Sequence, residues 1–257
     1  MLGKEAHILE QWRKKYFLQA FIVALISVLV ILAGISRLDF GGFKLILILA
    51  GLVVFYLMIK SLQEDLQTRG EALILAKSDI LFNHLSFDYG KGIADNALHN
   101  QEMVAPYKSR ECKNVMSGQR FLIEEDWLYT AVSKKFLTVY NTSFRGVILE
   151  ISAGNLPSSF SGEISKAKGR LLPVGGGSVL LKKYGLEKDM AALFDLFAAN
   201  KVKLFVYQGK IYFWIRSEAK IFYQFSLFKV NSIGNFVKRT EKMQKLILNF
   251  VKVFANE

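Results

Sequence analysis

The strongest constraint on the fold is an uncharged, apolar segment close to the N-terminus, Phe17 to Ile35. As a helix its 19 residues cover roughly 28 Å, about the thickness of the hydrocarbon core of a bilayer. Thirteen of them are Leu, Ile, Val or Phe, and each of these favours insertion by about 0.3 to 0.6 kcal/mol. The segment therefore predicts a membrane span over residues 17–35.

A second apolar segment begins after a short connection. Its 15 uncharged residues, Leu45 to Ile59, reach spanning length when Phe40 to Phe43 are included and the Lys44 side chain extends to the interface. We predict a second span over residues 41–59 and, with the first, an antiparallel transmembrane helical hairpin over residues 1–60. The alternatives are a buried core helix for the second segment and a signal peptide for the first. A signal peptide fits less well, because its apolar stretch is usually about 7 to 15 residues long.

Basic residues around these segments predict that both termini are cytoplasmic. Lys and Arg close to a span resist translocation, and only Arg37 and Lys44 lie between the two segments. Seven lie outside them: Lys4, Arg13, Lys14, Lys15, Lys60, Arg69 and Lys77. Cys112 is the single cysteine and cannot close an internal disulfide, which agrees with a reducing compartment.

The net charge of the residues that follow the two spans predicts the kind of surface to which they bind. The chain carries 34 Lys and Arg against 22 Asp and Glu. Residues 1–59 hold only six of the basic and three of the acidic residues, so the remainder is itself basic. Anionic headgroups attract such a domain by about 1 kcal/mol for each suitably placed Lys or Arg. Nucleic acid attracts the same charge, but the tether favours lipid because it concentrates the domain at the bilayer.

Residues 61–86 predict a juxtamembrane stalk helix that continues from the second span. Its apolar residues recur at spacings of three, four and seven, which is typical of an amphipathic helix. They are Leu62, Leu66, Leu73, Ala76 and Ile80. Gly70 is the position at which we expect this helix to bend or break.

Residues 87–257 predict one cytosolic α+β domain of mainly antiparallel sheet. Residues 87–120 show no clear element, but from Arg120 the chain contains short runs of aromatic and β-branched residues that are typical of strands: RFLIEE, WLYTAVS, FLTVY and FRGVILEIS. Residues 153–178 are rich in Gly and Pro and predict loops.

The clearest local motif is the pair KVKLFVYQ and IYFWIR, separated by Gly209 and Lys210. A two-residue loop that begins with Gly predicts a type II′ hairpin. Its aliphatic residues then share one face, while cations and aromatics share the other and could stack single-stranded bases. These candidates are Lys203, Phe205, Tyr207, Tyr212, Trp214 and Arg216. The alternative interpretation is that the aromatics pack beneath the preceding helix, Glu187 to Ala199.

The C-terminal segment, from Asn235, predicts a second amphipathic helix. Its apolar stripe is Met243, Leu246, Ile247, Phe250 and Phe254. Its basic residues are candidate contacts with a membrane surface or a partner: Lys238, Arg239, Lys242, Lys245 and Lys252. A basic amphipathic helix can lie on an anionic membrane, and a helix docked on a sheet has the same pattern.

Motifs for catalysis or for cofactors are not recognisable in the sequence. His7, His84 and His99 are not at ligand spacing from one another or from Cys112, so we predict neither a zinc site nor a cofactor. The Gly175 to Gly177 triplet lacks the lysine and spacing of a phosphate loop and predicts a turn.

Three consecutive acids, Glu124, Glu125 and Asp126, alternate direction on a strand. We therefore expect them to cap a turn before Trp127 and not to form a facing pair for acid–base chemistry.

These observations predict a membrane-anchored protein, not an enzyme, whose cytosolic domain binds a partner protein or the inner leaflet. The alternative is a membrane-anchored enzyme that acts on a lipid or an envelope substrate. In that case the residues to examine first are His84, Asp88, Tyr89 and His99.

The layout of the chain resembles a family of bacterial two-pass membrane proteins, domain of unknown function 3137. The resemblance rests on the two N-terminal apolar segments, on FRGVILEIS with Phe144, Arg145 and Gly146, and on the helix and hairpin in YGLEKDMAALFDLFAANKVKLFVYQGKIYFWIR. The preceding stretch VLLKKYGLEKD departs from the family, in which an acid and an arginine are common. The resemblance implies a bacterial inner membrane and a cytosolic domain that contains a sheet, and it implies no catalytic residues.

Overall fold

A computed structural model describes most of the chain, namely residues 2–37, 41–76, 85–88, 92–93, 98, 107–134, 137–154, 156–217, 225–228 and 233–255. The helices are α1 (Leu2–Arg37), α2 (Gly41–Ala76), α3 (Gly176–Lys182), α4 (Glu187–Phe197) and α5 (Ile233–Ala255). The strands are β1 (Ser86–Asp88), β2 (Ser109–Gly118), β3 (Phe121–Lys134), β4 (Leu137–Ser152), β5 (Ser161–Ala167), β6 (Arg170–Gly175), β7 (Lys201–Tyr207) and β8 (Lys210–Arg216). The predicted α+β class, with an N-terminal apolar helix and a mainly antiparallel sheet with flanking helices, is confirmed.

The chain divides into two compact units. One contains Met1–Lys77 and Tyr223–Phe236, and the other contains Ser78–Phe222 and Val237–Glu257. The first is built on α1 and α2, and the second on the sheet.

Helices α1 and α2 lie side by side in opposite directions. The Tyr16 hydroxyl donates a hydrogen bond to Asp65, and further along the pair a Cβ at Gly51 would lie 3.5 Å from Ile31. By length and composition, one helix among the described residues is apolar enough to cross a membrane, over Lys4–Leu32. The predicted second span over 41–59 is not among the described helices that are long and apolar enough to cross.

Gly70 does not break α2, because the helix continues to Ala76. A Cβ at Gly70 would lie 2.3 Å from the ring of Phe225, so the glycine provides space for that ring. Beyond Ala76, residues 77–84 lie outside the described part, and Ser86, the last residue of the predicted stalk helix, begins β1.

The eight strands form one sheet in the order β1-β2-β3-β4-β8-β7-β5-β6, with every neighbouring pair antiparallel. The four predicted runs from Arg120 onward combine into two long strands, β3 and β4. Residues 153–178 were predicted as loops. The described residues of 153–160 are turns and irregular backbone, as predicted, but 161–175 form β5 and β6 and Gly176 begins α3. The prediction was wrong for 161–178 because glycine there permits close packing: a Cβ at Gly162 would lie 2.4 Å from the backbone nitrogen of Gly177.

Alternation along the strands defines two faces of the sheet. The α5 face carries Phe213, whose ring lies 5.4 Å from that of Phe250 on α5. The Arg110 face carries Arg110, Glu124 and four aromatic residues of the β7–β8 hairpin, namely Phe205, Tyr207, Tyr212 and Trp214.

The β7–β8 hairpin has the predicted faces but a different turn. Tyr207 pairs with Lys210, so the loop residues are Gln208 and Gly209, with φ of 49° and 71°. Positive φ at both positions defines a type I′ turn, and the predicted type II′ turn was wrong. The register moves by two residues, so each side chain keeps its predicted face.

Candidate functional site

Helix α5 docks on the sheet through its apolar stripe and exposes lysines along another side. The stripe is buried: Met243, Leu246, Ile247, Phe250 and Phe254. Of the candidate contacts, Lys238, Lys242, Lys245 and Lys252 are exposed. At 100° per residue they fall within an arc of about 80°. We call these four residues the basic ridge.

The basic ridge carries net positive charge, because Glu241 is the only acidic residue in the sequence of α5. None of the four lysines forms an ion pair with another residue in the described part of the chain. Their ammonium groups are therefore solvated and can approach an anionic surface.

Arg239 lies apart from the basic ridge. Its side chain is half-buried and donates a hydrogen bond to the carbonyl of Leu196 at the end of α4, at 3.1 Å. Burial lowers the pKa of its guanidinium, and the nearby Glu125 carboxylate opposes that shift. Arg239, predicted as a surface contact, therefore joins α5 to α4.

The aromatic candidates of the hairpin are buried. Phe205, Tyr212 and Trp214 expose 4% of their surface or less, and the Phe205 and Tyr212 rings stack 5.0 Å apart. They belong to a cluster with Ile93, Leu98 and Tyr107, and not to the contacts beneath α4. A nucleic-acid base could reach these rings only if the cluster opened.

The other hairpin candidates border this cluster. Tyr207 is half-buried and packs against it, and Lys203 is half-buried on the same face. Arg216 is exposed at the end of β8. The structure therefore separates the predicted aromatic and basic surface into a buried aromatic part and a cationic edge.

A buried charge cluster lies at the centre of the Arg110 face, and sequence reasoning missed it. Glu124 and Asp126 are two positions apart in β3, so they point to the same side and are fully buried. Glu125 points to the α5 face, where the Asn114 amide donates to it at 3.2 Å. The predicted turn before Trp127 was wrong, because Trp127 is in the middle of β3. The sequence signal that could have revealed the cluster is the pair of acids at positions i and i+2 of one strand, because such residues share a face of the sheet.

Arg110 holds both carboxylates of this cluster. Its Nε and Nη2 donate to the two oxygens of Asp126 at 2.8 and 3.1 Å, and Nη2 also donates to Glu124 Oε1 at 2.6 Å. Nη1 donates to the carbonyl of Ile93, whose own N–H donates to Glu124 Oε2 at 2.6 Å. We call Arg110, Glu124 and Asp126, with the backbone of Ile93, the Arg110 cluster.

Burial dominates the protonation of the Arg110 cluster. It raises the pKa of Glu124 to about 10, helped by the hydrogen bond and the charge of Asp126 and opposed by Arg110. Glu124 and Asp126 together therefore favour binding one proton at neutral pH, which leaves Arg110 one negative charge to balance. The Cys112 Sγ lies 3.8 Å from Glu124, and burial, with the charges of Glu124 and Asp126, raises the thiol pKa to about 12.

The backbone of residues 92–93 seals the Arg110 cluster. A Cβ at Gly92 would lie 2.1 Å from Glu124 Oε2, so a larger residue would displace the Glu124 carboxyl group. No group of three or more His, Cys, Asp or Glu side chains among the described residues has the geometry to hold a metal ion. The hydrogen bonds of the Ile93 backbone to Glu124 and Arg110 attach this segment to the sheet.

The residues that were considered for catalysis fall mostly outside the described part of the chain. His84, Tyr89 and His99 are not among the described residues. Asp88 is in β1 and pairs with Val115.

Comparison with known proteins yields no match: no family model, no curated protein and no solved structure is significantly similar to this chain.

Proposed function

We propose that this chain is a two-pass protein of a bacterial inner membrane, with both termini cytoplasmic, and that its α+β domain binds an anionic surface through the basic ridge. The observation that carries the proposal is the arrangement of α5. Its apolar stripe is buried against the sheet, while Lys238, Lys242, Lys245 and Lys252 remain exposed. Membership of the family domain of unknown function 3137 is part of the same proposal.

The exposed apolar surface of α1 and α2 supports the membrane anchor. Leu18 on α1 and Leu45 on α2, for example, expose 59% and 63% of their surface. A large contiguous apolar surface is costly in water, and lipid would cover it. The side-by-side packing of α1 with α2 supports a hairpin of two spans.

The inner leaflet is the favoured occupant of the basic ridge, because the anchor would keep the domain close to it. Four lysines at about 1 kcal/mol each give an attraction of about 4 kcal/mol at low salt, and salt screens it over about 10 Å. Because the apolar stripe is buried, the contact would be electrostatic, without insertion of the helix. A partner protein with an acidic surface is the other occupant that the same charge fits.

Lysine acetylation followed by mass spectrometry tests this proposal on the full-length protein in nanodiscs. The basic ridge should be acetylated several-fold more slowly in nanodiscs with about one third anionic lipid than in neutral ones. High salt should remove the difference, and Lys168, exposed in the turn between β5 and β6, should show none.

A pair of matched variants makes the test specific. Lys238→Gln with Lys242→Gln should increase acetylation of Lys245 and Lys252 in anionic nanodiscs. Lys168→Gln with Arg170→Gln removes the same charge elsewhere and should leave those rates unchanged. Equal rates in neutral and anionic nanodiscs would show that the basic ridge does not bind lipid. Cross-linking in native membranes would then test the protein partner.

A further inference from the structure

A short segment between β8 and α5 packs on the face of α2. The N–H of Phe225 donates to Gln67 Oε1 at 2.9 Å, and the N–H of Leu227 donates to Gln63 Oε1 at 2.9 Å. The Gln63 amide nitrogen donates in turn to the carbonyl of Phe225, and Arg13 reaches the carbonyl of Leu227 at 3.5 Å. Backbone donors and acceptors of two alternate residues are thus bound by side chains of α1 and α2.

The side chains of the same two residues are buried. Phe225 is 1% exposed and Leu227 is fully buried, whereas Phe228 remains 63% exposed. The Phe225 ring occupies the space left by Gly70, where a Cβ would lie within 2.4 Å of three ring atoms. Any other residue at position 70 would exclude the ring.

Gln63, Gln67 and Gly70 are spaced by four and three residues, so they share one face of α2. Two side-chain amides bind backbone groups, and one gap accepts an aromatic ring. Because a glutamine amide both donates and accepts, Gln63 and Gln67 bind the peptide backbone without using a charge.

We propose that this face of α2 is a docking site for a Phe-x-Leu segment and that residues 225–227 occupy it in cis as a latch. The site selects an aromatic and an aliphatic side chain two positions apart, and it binds the backbone of both residues. The same segment of a second copy has the same chemistry, so an exchanged dimer is an outcome that the test has to separate from the latch.

Hydrogen exchange of the full-length protein in detergent micelles tests the contacts. In the wild type the amides of Phe225 and Leu227 should exchange slowly. Gly70→Ala should accelerate both at least tenfold. The matched control is Gly51→Ala in the same helix, where the Cβ would meet Ile31 at an ordinary 3.5 Å, and it should have no effect. If Gly70→Ala perturbs the helix itself, seen by circular dichroism, Gln67→Ala should still accelerate Phe225. Unchanged exchange in both variants would overturn the proposal.

Peptide binding tests whether the face is a site in its own right. A fluorescent peptide YQFSLFK should bind the variant Phe225→Ala with Leu227→Ala at least tenfold more tightly than it binds the wild type. Addition of Gly70→Ala should remove that gain. If the peptide binds all three proteins equally, the docking site is refuted. If the wild type is a dimer whose Phe225 exchange accelerates on dilution, the segment is supplied by the second copy and the latch in cis is refuted.

Discussion

Replacement of Arg110 should destabilise the sheet unit more than the loss of a surface charge. Arg110→Met keeps much of the aliphatic length but removes the guanidinium that donates to Asp126, Glu124 and the carbonyl of Ile93. Removal of one partner from a buried ion pair costs about 3 to 5 kcal/mol, because the other charge stays buried and unpaired. At about 2 to 4 °C for each kcal/mol, the unfolding midpoint should fall by about 6 to 20 °C.

Thermal unfolding of the full-length protein in detergent, followed by tryptophan fluorescence, measures this loss. Lys210→Met is the matched control, because Lys210 pairs with Glu150 while 44% of its side chain is exposed. That variant should lose no more than about 1 kcal/mol. If Arg110→Met loses no more than the control does, the reasoning about a buried charge is refuted.

A double variant separates charge from packing. Arg110→Met with Asp126→Leu removes the guanidinium and one of the two buried carboxyl groups, and burial favours the neutral form of the remaining Glu124. It should be at least about 2 kcal/mol more stable than Arg110→Met alone, because apolar groups of similar volume replace a buried ion pair at little cost. A double variant as unstable as the single one would show that the loss came from packing.

Three further outcomes are expected. The raised pKa of Glu124, about 10, means that folded chains keep a proton that unfolded chains lose above about pH 4.3. The free energy of unfolding should therefore fall as the pH rises from about 4.3 to about 10. In the variant Glu124→Gln, the unfolding midpoint should fall less between pH 6 and pH 9 than it does in the wild type. Cys112, with its thiol pKa near 12, should react with iodoacetamide at pH 8 at least tenfold more slowly in the folded than in the unfolded protein; similar rates would contradict its burial. Gln208 and Gly209 have φ of 49° and 71°. Because Asn adopts positive φ more readily than Gln, and Ala less readily than Gly, Gln208→Asn should stabilise the domain by about 0.5 kcal/mol and Gly209→Ala should destabilise it by about 1 kcal/mol. Urea unfolding measures both changes, and opposite signs would contradict the type I′ turn.

Elements with a strong local pattern could be predicted from the sequence. The helix expected over Glu187 to Ala199 is α4, which runs from Glu187 to Phe197. The helix predicted from Asn235 runs from Ile233 to Ala255. In the β7–β8 hairpin the period of two determines the faces even when the register is wrong, because the register moved by two residues.

Features that depend on distant partners could not be predicted. The buried acids of β3 are stabilised by hydrogen bonds from Arg110 and from the Ile93 backbone, which lie 14 or more residues away in the sequence. Gly70 was expected to bend a helix, but its role comes from Phe225, far along the chain. The Gly175 to Gly177 triplet was expected to form a turn, and its last two residues begin α3, where glycine allows the backbone of β5 to approach.

The proposed contact between the basic ridge and the inner leaflet requires a cytoplasmic domain, so the topology of the chain in its membrane should be measured first. Single cysteines at Lys4, Asp39 and Lys252, in a Cys112→Ser background, can be labelled with a membrane-impermeant maleimide. Positions 4 and 252 should react only in inverted vesicles, and position 39 should react only in intact spheroplasts. Reaction of position 252 in intact spheroplasts would contradict a cytoplasmic domain.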